Sequence, residues 1–279
     1  MNILFCGDGN IADGVIISTL SLMKNTKESL NIYILTATVS HGSTYYKALP
    51  SEFEDYLDGI VKQHSADSSV RLFNITDLFD NNPPTANMET RFTPCCMLRL
   101  YADLIDGLPD RILYLDNDVL CRLDPTEFYN TDLSGAELAG VLDYYGSWFF
   151  QRQFFRRNYL NSGVLLLDLD KIKETGLFKS CRERCRDTEM FMPDQSAINK
   201  LTHNKIIVPR RFNEQRKLHK DTVFQHFTTS FRFFPWVHTV SVKPWNIEGM
   251  HNTLRLYEYD DILKRYLSEK QNYRIKEKT

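Results

Sequence analysis

Three features of the sequence predict an α/β fold with a mainly parallel central sheet flanked by helices. Short apolar runs of strand length alternate with amphipathic segments of helix length over the first hundred residues. Acids follow closely on several of those strands, at Asp8, Asp116, Asp118 and Asp143. The chain has 279 residues, 42% hydrophobic and 25% charged, enough for a substantial core and too apolar for general disorder. In such sheets ligands sit at the carboxyl ends of the strands, so the acids mark one candidate edge.

The elements follow in order. Residues 2–6 read as a short buried strand leading into Gly7-Asp8-Gly9-Asn10. Ile11, Val15, Ile16, Leu20 and Met23 repeat at helical spacing and predict a helix from Ile11 to Met23. Asn31 to Leu35 is a second strand. Ser51 to Val61 is a helix, with Ser51-Glu52-Phe53-Glu54 as a capped start. Val70 to Phe73 is a third strand, and Asn81-Asn82-Pro83-Pro84 is a turn. Pro94 to Leu108 reads as a helix bearing Arg99. Ile112 to Leu120 is a strand that carries Asp116 and Asp118. Leu138 to Leu142 is a strand ending at Asp143, and Tyr144 to Tyr159, aromatic and basic, is a loop with helical pieces. Asn161 to Asp168 is a strand, Asp170 to Arg186 one amphipathic helix, and Pro193 to Leu201 a short helix. Val237 to Val242 alternate in polarity ahead of Lys243-Pro244-Trp245. The main domain covers residues 1–250, and 251–279 form a helical, basic tail.

Bulk properties narrow the function. A net charge of −2 argues against nucleic-acid binding by overall charge. No apolar run approaches the roughly 20 residues of a spanning helix. The start, Met1 to Asp8, lacks a basic region and is too short in apolar residues for a signal peptide. None of the six cysteines forms a C-x-x-C pair, and Cys181 and Cys185, four apart, have no second pair or nearby His to complete a zinc set. Reduced, buried thiols in a cytoplasmic protein are the expectation.

Asp116-Asn117-Asp118 is the most chemical stretch. Ionised carboxylates resist desolvation unless paired or metal-bound. Two acids at strand spacing share a face if the strand stays extended, and a divalent cation relieves their repulsion. Oxygen ligation with room for water and phosphate suits Mn²⁺ or Mg²⁺ better than Zn²⁺. A strand followed by a solvated, Asp-capped turn is the competing reading. Asp8 and Asn10 offer short polar side chains to a base or ribose, or else cap a turn; Ala12 breaks the G-x-G-x-x-G fingerprint. Asn161-Ser162-Gly163 either reaches a ligand at the sheet edge or makes a turn. Asp194-Gln195 suits a helix start, and His226 is a ligand or a satisfied core residue.

The order and spacing of these elements resemble the retaining glycosyltransferases of family 8, which have the GT-A fold, a Rossmann-like nucleotide-diphospho-sugar transferase architecture. The resemblance runs from residue 3 to about residue 246. It takes in Asp8 and Asn10, Leu98-Arg99-Leu100, Leu113-Tyr114-Leu115-Asp116-Asn117-Asp118, Asp143, Asn161-Ser162-Gly163-Val164, Asp194-Gln195, His226-Phe227 and Lys243-Pro244-Trp245. It implies hexose transfer (glucose or galactose) from a UDP-sugar to a saccharide or glycolipid acceptor, in cell-surface polysaccharide synthesis, with Mn²⁺ or Mg²⁺ as cofactor. By the same resemblance Asp116, Asp118 and His226 hold the metal, Asp8 and Asn10 contact the uridine, and Asn117 offers backbone contacts to the nucleotide. Arg99, Asp143 and Asn161 hold the donor sugar, Asp194 and Gln195 line its reacting face, and Lys243 contacts the diphosphate.

Two departures stand out. Ile11 occupies a position that is usually aromatic and stacks on uracil. Thr228 to Val242 separates His226 from Lys243, which leaves His238 as an alternative ligand and Arg232 as an alternative phosphate contact. Rival readings are a haloacid-dehalogenase-type phosphatase using Asp116 and Asp118, a nucleotidyltransferase, and a non-catalytic sugar-nucleotide-binding protein. The basic segments Arg152 to Arg157 and Lys264 to Lys278 suit either contact with an anionic membrane face or plain solvation.

Overall fold

The computed structural model describes residues 1–42, 44–90, 93–144, 158–232 and 238–276. The strands, in chain order, are β1 (Asn2–Gly7), β2 (Asn31–Thr36), β3 (Val39–His41), β4 (Thr44–Tyr46), β5 (Ser69–Asn74), β6 (Arg111–Leu115) and β7 (Val119–Cys121). They continue with β8 (Leu138–Leu142), β9 (Leu160–Asp168), β10 (Lys205–Ile207), β11 (Phe224–His226), β12 (Ser230–Arg232) and β13 (His238–Val240). Seven of them form the central sheet in the order β10-β8-β9-β6-β1-β2-β5.

The predicted mainly parallel sheet is present. Only β9 runs against its neighbours, pairing antiparallel with both β6 and β8. That reversal positions the site. Because β9 starts where β6 and β8 end, Asn161, Ser162 and Gly163 lie at the same edge as Asp116 and Asp143. The ladder continues past the strand ends: Asp116 N donates to Gly163 O at 2.8 Å, and Asp143 N to Tyr159 O at 2.8 Å.

Strand alternation builds two cores, one on each face of the sheet. Ile3, Phe5, Leu113, Leu115, Val164 and Leu166 face one, with Val15, Ile16 and Leu20 of the helix Ala12–Asn25. Leu4, Ile112, Tyr114, Leu165 and Leu167 face the other, with Leu98 and Tyr101 and with Phe178, Cys181 and Cys185. A sheet covered on both sides explains why these strands are almost wholly apolar.

Several local expectations change. Arg99 sits on a 3-10 helix, Pro94–Leu104, opened by its proline. The single helix expected from Asp170 to Arg186 is two, Leu169–Thr175 and Leu177–Asp187, broken at Gly176, whose φ of 68° is open mainly to glycine. Ser51 makes no capping bond. The strand through Asp116 ends at Leu115; Val119 N closes a turn onto Asp116 O at 3.1 Å, and β7 follows. Residues 145–157, with the basic run Arg152 to Arg157, lie outside the described set, as does Lys278.

The C-terminal helix Asp260–Lys276 is docked by Tyr259, Ile262, Leu263 and Tyr266, all buried in the first core. Lys270 pairs with Asp13 at 2.6 Å, Lys24 with Asp261 at 2.7 Å, and Tyr56 Oη donates to Glu269 O at 2.8 Å. Among the described residues no helix is long and apolar enough to cross a membrane.

Candidate active site

A cavity of about 670 Å³ opens at the carboxyl ends of β1, β6 and β8. Of Ile11 and the residues to which the resemblance assigns a site role, all but Asn10 line it: Asp8, Ile11, Arg99, Asp116, Asn117, Asp118, Asp143, Asn161, Asp194, Gln195, His226 and Lys243. Its size falls in the range of small-molecule ligand sites.

The charged half forms around the turn after β6. Antiparallel pairing of β11 with β7 sets His226 opposite Val119, and Phe227 N donates to Asp118 O at 3.0 Å. A residue remote in sequence is thereby locked beside the two acids. His226 Nε2 lies 3.5 Å from Asp116 Oδ2 and 3.2 Å from Asp118 Oδ1. One ligand atom from each of the three residues falls within 4.8 Å of the others. The convergence comes from the turn at 116–119, not from a shared strand face.

These donors fit a hard divalent cation. Adjacent ligands of an octahedral ion with bonds near 2.1 Å are about 3 Å apart, close to the two separations observed. Each acid also has its second oxygen engaged. Asp118 Oδ2 pairs with the Lys243 ammonium, which donates in addition to Phe227 O at 2.9 Å. Burial alone would raise the Asp118 pKa, but His226 and Lys243 together outweigh it and hold the carboxyl below the usual range.

Arg99 ties the halves together. Its Nη2 donates to Asp116 Oδ1 at 2.8 Å, Nη1 to Ser162 O at 2.6 Å, and Nε to Cys96 O at 3.1 Å while pairing with Asp194 Oδ2 at 3.3 Å. Burial works against its charge, but Tyr114, Asp116 and Asp194 prevail and keep its pKa well above the ordinary value.

The other half is a chain of amides around the Asp143 carboxylate. Gln195 Nε2 donates to Asp143 Oδ2 at 2.9 Å, and Gln195 Oε1 accepts from Ser162 N at 3.0 Å. Asn161 Nδ2 donates to the same Asp143 oxygen at 3.2 Å, and Asn161 Oδ1 accepts from Gly163 N at 3.0 Å and Asn213 Nδ2 at 2.9 Å. Gln195 is carried by the helix Pro193–Leu201, as the sequence predicted.

At the third wall Asp8 caps the turn Gly9–Ile11, accepting from Asn10 N at 2.9 Å and Asn10 Nδ2 at 3.2 Å. Asn10 is exposed and turned back onto Asp8. Ile11 lies against Gly7, where a Cβ would overlap its side chain. The thiols here are inert: burial pushes Cys95 up to about 12 and raises Cys6 and Cys96 further. All six cysteines are free.

Sequence reasoning gave four residues no role in the site, although two of them, Tyr114 and Gly163, stand inside the quoted motifs. Tyr114 reads as plain core. Asn213 and Gln215 sit in a stretch with no motif. Gly163 reads as turn chemistry, yet a Cβ there would overlap His226 Cε1 and stand 2.7 Å from Asp116 Oδ2. Only knowledge of what packs against each would have exposed them. Arg232 and His238 face each other in the β12–β13 pair; their side chains lie outside the described set.

Comparisons with known proteins agree with this fold. The model of glycosyl transferase family 8 matches residues 2–249, and the chain belongs to that family. It is similar to the lipopolysaccharide 1,2-glucosyltransferase of Escherichia coli (strain K12), 26% identical over 278 residues, covering 92% of this chain and 76% of the relative. It is also similar to the lipopolysaccharide 1,3-galactosyltransferase of Salmonella typhimurium, 25% identical over 268 residues, covering 90% and 74%. Among solved structures, the galactosyltransferase LgtC in complex with donor and acceptor sugar analogs superposes with a TM-score of 0.69 at 19% identity, covering 96% of both chains. The glycosyltransferase GlyE of Streptococcus pneumoniae TIGR4 gives 0.61 at 17% identity, covering 96% of this chain and 64% of the other. The architecture is the GT-A fold.

Proposed function

We propose that this protein transfers a hexose, glucose or galactose, from a UDP-sugar to a saccharide or glycolipid acceptor, with retention at the anomeric carbon. The observation that carries the reading is the meeting of Asp116, Asp118, His226 and Lys243 with Asp143, Asn161, Asp194 and Gln195 across one cavity. The first group handles a diphosphate, the second a polyhydroxylated ring.

A divalent cation held by Asp116, Asp118 and His226, Mn²⁺ or Mg²⁺, would supply Lewis-acid neutralisation of the departing diphosphate. Lys243 adds its own charge, moving from Asp118 to the phosphate oxygens as negative charge builds there. Asp8 meets the nucleoside, Ile11 covers the base with an aliphatic face, and Asn117 offers backbone contacts. Asp143 and Asn161 fix the sugar, with Arg99 acting through Asp116, Ser162 and Asp194. Gln195 and Asp194 stand at the reacting face, where they stabilise cationic character on the ring. Nothing in the site favours the phosphatase reading. Asp116, the nucleophile it requires, is held on one oxygen by Arg99 and Tyr114 and faces His226 with the other.

The test is incubation with UDP-glucose and UDP-galactose plus Mn²⁺. Metal-dependent UDP release is expected. Phosphate release from a simple phosphoester, or binding without turnover, would overturn the proposal. A lipid-linked acceptor would bring the protein to an anionic membrane face. Among the described side chains of Lys264 to Lys278, Lys270 and Arg265 are engaged with Asp13 and Gln63, and Lys264 is exposed for such a contact. Failure to float with anionic liposomes at low salt would remove it.

A further inference from the structure

Asp116 uses its two oxygens for different purposes. Oδ1 accepts from Tyr114 Oη at 2.6 Å and from Arg99 Nη2 at 2.8 Å. Oδ2 faces His226 Nε2 at 3.5 Å, on the side that Gly163 keeps clear by lacking a Cβ. Tyr114 lies two residues before Asp116 and only 1% of it is exposed. Its ring is clamped by the Arg99 guanidinium, whose central carbon is 4.0 Å from the ring centroid.

We propose that Tyr114 is a positioning residue for the cation: its hydroxyl, with Arg99, occupies Asp116 Oδ1 and so commits Asp116 to bind a divalent ion through Oδ2 alone. A carboxylate rotates readily about its terminal torsion. Left unheld, it exchanges its oxygens or chelates through both. Two donors on one oxygen, one of them charged, fix the plane of the carboxylate before any ligand arrives. The hydroxyl is the distinguishing atom, because phenylalanine would fill the core and meet Arg99 equally well. A tyrosine in an apolar strand otherwise reads as core, and only the bond to Asp116 separates the two roles. The inference rests on the metal reading of the Asp116–Asp118–His226 triad.

The experiment titrates the protein with Mn²⁺ in the absence of nucleotide, following free and bound ion by electron paramagnetic resonance. Tyr114→Phe should bind Mn²⁺ about tenfold more weakly, the lower range for loss of a partner that orients a ligand, and should give an altered bound-ion spectrum. Tyr129→Phe serves as control, since that hydroxyl instead accepts from Asn2 N at 3.1 Å, and it should match the wild type. If Asp116→Asn loses binding while Tyr114→Phe keeps wild-type affinity and spectrum, the inference is wrong and the metal site stands. If Asp116→Asn also keeps wild-type binding, the metal reading falls with it. Should Tyr114→Phe fail to fold, 3-fluorotyrosine placed at position 114 gives the same decision. Its fluorine resonance should shift on adding Mg²⁺ in the wild-type background and not with Asp116→Asn; an unmoved resonance in the wild-type background overturns the inference.

Discussion

The two halves of the cavity are built on different principles. Around Asp116, Asp118, His226 and Lys243 two carboxylates meet an imidazole and an ammonium, and the Lys243 ammonium can be exchanged for another cation. Around Asp143, Asn161, Gln195 and Asn213 they are amide hydrogen bonds to one carboxylate and to backbone, a mesh in which each group fixes its neighbour. A site that must release a diphosphate benefits from charges that can change partners. On the proposed reading the second half holds one sugar against its epimers, and groups that cannot turn serve that role. Arg99 spans both, reaching Asp116 on one side and Asp194 and Ser162 on the other.

If that division is right, damage to the charged half should be the more severe. Asp118→Asn removes a ligand and the partner of Lys243, and should cut metal-dependent turnover by about 100-fold or more, several kcal/mol of charge stabilisation. The melting temperature should stay near wild type; an unchanged Mn²⁺-dependent rate would dissolve the contrast. Gly163→Ala should come next. Its methyl group would press on His226 and Asp116, and Mn²⁺ affinity measured by calorimetry should drop at least about tenfold. Asn213→Ala probes the other half by releasing Asn161 Oδ1 from one donor. It should lower kcat/KM by about tenfold, near 1–2 kcal/mol, and leave Mn²⁺ affinity intact. Altered Mn²⁺ binding there would mean the halves are one unit. Lys243→Met should give the smallest change, with opposite signs: Mn²⁺ binding without nucleotide tightens a few-fold as Asp118 loses its internal cation, while UDP binding in the presence of Mn²⁺ weakens.

How much of this was legible depended on how local each signal was. β1, the start of β6 and the helix Pro193–Leu201 follow from apolar periodicity and a proline at the helix start, so the sequence placed them within a residue, whereas the end of β6 at Leu115 is set by the turn onto Asp116 O. The break at Gly176 was also local, yet the apolar period continues through it and hides it. The metal triad was half legible. Asp116 and Asp118 announce themselves, but His226 reaches them only through the β7–β11 pairing, which no spacing encodes and which the family resemblance alone suggested. Gly163 and Tyr114 stood inside quoted motifs without a role, and Asn213 in no motif at all, because what each does lies in what it touches across the sheet. The departure at Ile11 was visible and has a physical partner, since Gly7 leaves room for that side chain.

The account stands on one cation being gripped where the charged half converges. Crystals grown with Mn²⁺ and UDP, with diffraction recorded at the manganese absorption edge, test it most directly. The expected result is a single anomalous peak about 2.1–2.3 Å from Asp116 Oδ2, an Asp118 oxygen and His226 Nε2, with Lys243 withdrawn from Asp118 toward the diphosphate. A map with UDP in the cavity and no peak among those three side chains would contradict it.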